Sequence, residues 1–85
     1  MVTYHRNFKK MFQKLPLAIQ EKFSERMVIF IKIPYHGTLE NHALSGEWKM
    51  CRSINITGDI RAVYKERDRR VVQFIAIGSH SELYS

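Results

Sequence analysis

Six side chains from residue 42 onward have the types to move protons, hold an anion or stack on a planar ring: His42, Asn55, Asp59, Arg61, His80 and Tyr84. Histidine suits acid–base work, because its unperturbed pKa of about 6.5 lies near neutrality. An arginine fork matches an anionic oxygen pair, and a tyrosine ring offers a stacking surface. Each residue also has an ordinary reading. Asp59 follows Gly58 in a turn-like stretch and is a common turn residue. Arg61 can pair across strands with Glu66 or Asp68, a contact worth ~0–1 kcal/mol at a surface. A lone loop histidine is more often a surface residue than a catalyst, and Tyr84 can serve as a core anchor. The four histidines, His5, His36, His42 and His80, are scattered without HxxxH or CxxC spacing, so no metal set is expected.

Positioning these groups requires elements, and their order is readable. Phe8, Met11, Phe12 and Leu15 follow the spacing of one helix face, predicting a helix over about 6–14. Leu15-Pro16 breaks the pattern, since proline disfavours helix in the residue before it and suits a first helical position. A second helix then carries Ile19, Phe23, Met27 and Phe30-Ile31. Val2-Thr3-Tyr4 reads as a short strand. Residues 34–47 show no sustained period and read as an ordered loop. Alternation then predicts strands over 48–57, 60–65 and 70–77, joined by turns at 57–59 and 66–69. Helices followed by a meander give an α+β domain: a helical hairpin on one face of a three- to four-stranded antiparallel sheet. With Ile54, Ile56, Ile60, Ala62 and Tyr64 facing the helices, parity puts Ser53, Asn55, Asp59, Arg61 and Val63 on the other face. That face is expected to be open, with the tail after Gly78 crossing the end of the sheet.

At 85 residues the chain is one domain with one modest core, and it is too short for a deep cofactor cleft. The single cysteine, Cys51, excludes an internal disulfide framework and reads as a small residue, buried or half-buried. No apolar run approaches the ~20 residues of a membrane helix, and the start lacks a signal-peptide core. A soluble cytoplasmic protein is therefore expected. The formal net charge is +6. It concentrates in residues 1–33, where seven basic residues face two acidic ones. Such an excess favours a polyanion or an acidic partner.

The run His42-Ala43-Leu44-Ser45-Gly46-Glu47-Trp48-Lys49, then Arg52, then Asp59-Ile60-Arg61-Ala62-Val63-Tyr64, then Gly78-Ser79-His80-Ser81-Glu82-Leu83-Tyr84 resembles the YafQ-like branch of the RelE/ParE toxins. These are the toxin halves of type II toxin–antitoxin pairs. The resemblance covers about half of the chain, in order. It implies a RelE-like fold and an endoribonuclease that cleaves message in the ribosomal A site without a cofactor or metal. The message's 2′-hydroxyl is then the nucleophile. By that resemblance His80 is the general acid, Asp59 and His42 are candidates for the base, and Arg61 stabilises the phosphorane. Asn55, Tyr84, Lys49 and Arg52 bind substrate. YafQ-like members often carry a histidine at the position of Asn55, and some lack the arginine found here as Arg61, so the chain mixes features of two branches. The implied partners are an acidic antitoxin, through which alone the toxin oligomerises, together with messenger and ribosomal RNA. A ParE-like gyrase inhibitor and a non-catalytic binding module of the same fold are the alternatives.

Overall fold

The paired apolar spacings do form two helices in the computed structural model, which describes residues 1–84. Helix α1 spans Arg6–Gln13 and α2 spans Leu17–Lys32. Pro16 precedes α2 in an extended conformation (φ −57°, ψ 149°), as expected for a break at Leu15-Pro16. The corner is tied by Gln20, whose amide donates to the Phe12 and Leu15 carbonyls at 3.0 and 3.2 Å. The Phe12 carbonyl also accepts the Leu15 N–H at 3.1 Å, and the Leu15 carbonyl lies just beyond the end of α1, where the helix supplies no further donors.

The strands are β1 (Val2–Tyr4), β2 (His42–Ala43), β3 (Cys51–Asn55), β4 (Ile60–Asp68) and β5 (Val71–Ser79). The sheet has five strands in the order β1-β5-β4-β3-β2, rather than three or four. The sheet is also mixed, since β1 runs parallel to β5 with Val2 opposite Val72. Strands of two or three residues are too short to show alternation, so β2 lay hidden in the stretch expected to be loop. The first long strand starts at Cys51 and not at Trp48. Gly46–Trp48 instead forms a 3-10 turn, entered through Gly46 at φ 64° and followed by Met50 at φ 73°. The β4–β5 turn is correspondingly tighter than expected. The tail is a helix, α3 (His80–Tyr84).

Strand parity holds. Ile54, Ala62, Tyr64, Phe74 and Ile77 face the helices and join Phe8, Phe23, Met27, Phe30 and Leu39 in the main core. Phe74 is its hub. Its ring lies 5.3–6.0 Å from those of Tyr64, Phe30, Phe23, Phe8 and Tyr4, the separation of favourable aromatic pairs. A register shift between Val63 and Tyr64 bulges β5 at Ile75, and the Asn7 amide takes the Ile75 carbonyl at 2.9 Å.

The opposite face is not open as expected. Cys51, Val63, Ala76 and Leu83 form a second small core, flanked by Leu44, Trp48 and Tyr84. Cys51 is accordingly buried. Helix α3 and the Gly46–Trp48 turn cover part of this face and leave a cleft beside it.

Candidate active site

The cleft begins with the way α3 is started. Ser79 precedes the helix and Glu82 stands three residues on, the S-x-x-E spacing of a capping box. The Glu82 N–H donates to the Ser79 hydroxyl at 3.2 Å, and the Ser79 N–H donates to the Glu82 carboxylate at 2.8 Å. The His80 N–H donates to the Asp59 carbonyl at 3.2 Å, which moors the first residue of α3 to the β3–β4 turn. Farther along, Trp48 Nε1 donates to the Leu83 carbonyl at 2.8 Å. The Tyr84 hydroxyl donates to Ser53 at 3.1 Å, satisfying a side chain with no exposed surface. The capping box was legible in the sequence; the Trp48–Leu83 contact was not.

Hydrogen bonds from the Ser79 N–H and hydroxyl hold the Glu82 carboxyl below its ordinary range. A carboxyl with a lowered native pKa adds stability above its unfolded value and loses it as pH falls through the native one. Glu82→Gln is therefore expected to flatten the fall in melting temperature between about pH 5 and pH 3, read by circular dichroism.

Helix α3, β4 and the segment from β2 to Trp48 enclose a cleft of about 600 Å3, lined by His42, Trp48, Arg61, His80 and Tyr84 among others. The His80 and Tyr84 rings meet edge to face at 4.8 Å. Arg61 uses one terminal nitrogen, Nη1, on the Thr57 and Gly58 carbonyls at 3.2 and 3.3 Å. Its remaining donors make no hydrogen bond among the described residues, and it forms no ion pair with Glu66 or Asp68.

Three of the four histidines separate by what their Nδ1 atoms do. In His5 and His36, Nδ1 accepts a backbone N–H, from Asn7 and Thr38 respectively, so both rings cap helical turns. In His42, Nδ1 lies 2.8 Å from the Glu40 carbonyl. A carbonyl only accepts, so this nitrogen carries a proton, and in the neutral ring Nε2 is the one with the lone pair.

The remaining sequence-derived candidates lie outside the cleft. Asp59 contributes its carbonyl to His80, while its exposed carboxylate is not among the lining groups. Asn55 sits opposite Arg61 in the β3–β4 register and donates to the Glu40 carboxylate at 2.6 Å. Lys49 is exposed beyond the 3-10 turn. Arg52 is on the helix-facing side of the sheet, where Nε donates to Asn41 at 2.8 Å and the guanidinium lies 5.1 Å from the centre of the Tyr35 ring. Asn41 in turn donates to the Tyr64 hydroxyl at 2.8 Å. Burial pushes that hydroxyl's pKa up, against the lowering effect of the Asn41 bond. Among the described residues no cluster of three or more His, Cys, Asp or Glu could hold a metal ion, and no helix is long and apolar enough to cross a membrane.

Residues 1–85 match the family described as the bacterial toxin of type II toxin–antitoxin systems, YafQ. The chain belongs to the YafQ toxin family. It is a toxin of the type II toxin–antitoxin class within the RelE-like superfamily. A copper-bound mutant toxin from Helicobacter pylori is 31% identical over 98% of this chain and 97% of that one, with a TM-score of 0.79. YafQ from Escherichia coli is 23% identical over 100% of this chain and 98% of its own, also at 0.79. YafQ in the DinJ–YafQ complex from Escherichia coli is 22% identical over 100% and 98%, at 0.77. These last two likenesses concern the fold. No curated protein sequence matches the chain. The α+β architecture expected for a YafQ-type toxin is thus present, with its extra short strands.

Proposed function

We propose that this toxin is a ribosome-dependent endoribonuclease that cleaves messenger RNA and so stops translation. One observation carries the reading: His42 and His80 line the same cleft as Arg61, which supplies an acid, a base and a fixed cation around one phosphate. His42 Nε2, left with its lone pair, takes the proton of the message's 2′-hydroxyl. The resulting oxygen attacks the adjacent phosphorus. The P–O5′ bond breaks, and protonated His80 gives its proton to the leaving 5′-oxygen. The products are a 2′,3′-cyclic phosphate and a 5′-hydroxyl. Arg61 holds the phosphorane charge with its unused donors, and Tyr84 presents a ring for a base to stack on. Between the two candidates for the base, the geometry favours His42. Asp59 then positions His80 through its carbonyl.

The basic side chains of α1 and α2 suit ribosomal RNA, and their charge suits an acidic antitoxin, as DinJ partners YafQ in the solved complex. The test is to incubate message with the purified toxin, with and without ribosomes, and to map the ends. Cleavage with ribosomes, leaving cyclic phosphate and 5′-hydroxyl ends, is expected. Intact message together with gyrase-dependent DNA breaks would overturn the reading.

A further inference from the structure

Glu40 occupies the left-handed region, at φ 46° and ψ 45°. Glycine and asparagine enter that region readily, while a long side chain does so at a cost. Its neighbours hold it there. Leu39 has no exposed surface in the main core. The Asn41 amide donates to the Pro34 carbonyl at 2.9 Å and to Tyr64, and accepts from Arg52. Between these two fixed residues, the Glu40 carbonyl meets His42 Nδ1 at 2.8 Å, and its carboxylate receives the Asn55 amide at 2.6 Å. Glu40 itself does not line the cleft. It nevertheless grips His42, which does, and Asn55, the strand neighbour of Arg61. An unfavourable backbone conformation filled by a residue type that does not prefer it points to a role for that residue.

We propose that Glu40 is a positioning residue for the cleft: its left-handed main chain sets the tautomer of His42, and its carboxylate sets the amide of Asn55. Free histidine favours the tautomer with the proton on Nε2. Without the Glu40 carbonyl, the ring would mostly present a proton where the reaction needs a lone pair. When Nε2 does take a proton, the same bond becomes charge-assisted and shorter, so the device acts both before and during proton transfer. The effect on rate rests on the ribonuclease reading; the ring tautomer and the amide orientation are properties of the free protein.

The test reads them separately. Long-range 1H–15N NMR of the isolated toxin, at a pH where the rings are neutral, is expected to show His42 protonated at Nδ1. Glu40→Gly keeps the backbone conformation and the carbonyl, so the His42 pattern is expected to persist while the Asn55 side-chain amide signals shift. Glu40→Val disfavours the left-handed conformation, and the His42 pattern is expected to move towards Nε2–H. With ribosomes, kcat of Glu40→Val is expected to fall at least about tenfold at unchanged KM, part of the ~10²–10⁴-fold that a positioned base contributes. Should Glu40→Val not fold, Glu40→Thr, also β-branched, supplies the alternative displacement. An Nε2–H tautomer in the unaltered protein, or an unchanged His42 pattern in the folded Val or Thr variant, would overturn the proposal. The expected spectra in a protein that cleaves no message would refute the ribonuclease reading and leave the positioning role standing.

Discussion

His80→Ala is expected to lower the rate of ribosome-dependent cleavage by ~10²–10⁴-fold, with a loss of stability no greater than about 1.5 kcal/mol from the missing edge-to-face contact with Tyr84. The exposed ring carries little packing, and the backbone N–H that moors α3 to Asp59 is untouched by the change. His42→Ala is expected to fall in the same range, since acid and base act in one step. The double variant should then be hardly worse than the poorer single one, because groups acting as a unit are strongly non-additive. Asp59→Asn provides the contrast. It keeps the carbonyl that holds His80 and removes a carboxylate outside the cleft, so it is expected to retain most of the activity. Single-turnover cleavage of a defined message on purified ribosomes, alongside thermal melts, decides all four. A fully active His80→Ala would remove the acid–base assignment, and an inactive Asp59→Asn would return the base to Asp59.

The largest effect on stability is expected at Phe74. The ring has no exposed surface and touches aromatic residues from β1, both long helices and β4. Phe74→Ala leaves a cavity where these elements converge, at a cost of ~3–5 kcal/mol. A domain of this length has roughly 0.05–0.15 kcal/mol of stability per residue, so the variant gives up a large share of the total. Ile31→Ala is the control. Ile31 is 67% exposed on α2, and its truncation is expected to stay within about 0.5 kcal/mol. Urea unfolding, compared at equal m-value, measures both. Equal midpoints for the two variants would show that the aromatic cluster is not the keystone of the main core.

How much of this could be read in advance varies from residue to residue. Phe8, Phe23, Phe30, Ile54, Ala62 and Tyr64 were visible because burial on one face repeats at 3.6 or 2 residues. The same parity put Arg61 on the cleft side and Arg52 with Ile54 on the helix side; the resemblance had assigned Arg52 to substrate. The parallel pairing of β1 with β5 joins segments about seventy residues apart, and nothing local in Val2-Thr3-Tyr4 encodes it. The covering of the second face depends on Trp48 meeting Leu83, a contact between two segments with no shared period. Glu40 escaped notice because a single left-handed residue leaves no pattern when it is neither glycine nor asparagine. The capping box Ser79-His80-Ser81-Glu82 was the one legible signal left unread.

The parallel β1–β5 pairing has a consequence for how the protein comes into being. Met1 and Val72 share a main-chain bond of 2.9 Å, and Phe8, Phe23 and Phe30 converge on Phe74. While the chain is being synthesised from its first residue, β1 has no partner and the helices have no floor. Both arrive only when residues 71–79 emerge, and His80 follows them. The main core and the third wall of the cleft beside His42 and Arg61 are therefore complete only once β5 and α3 are in place.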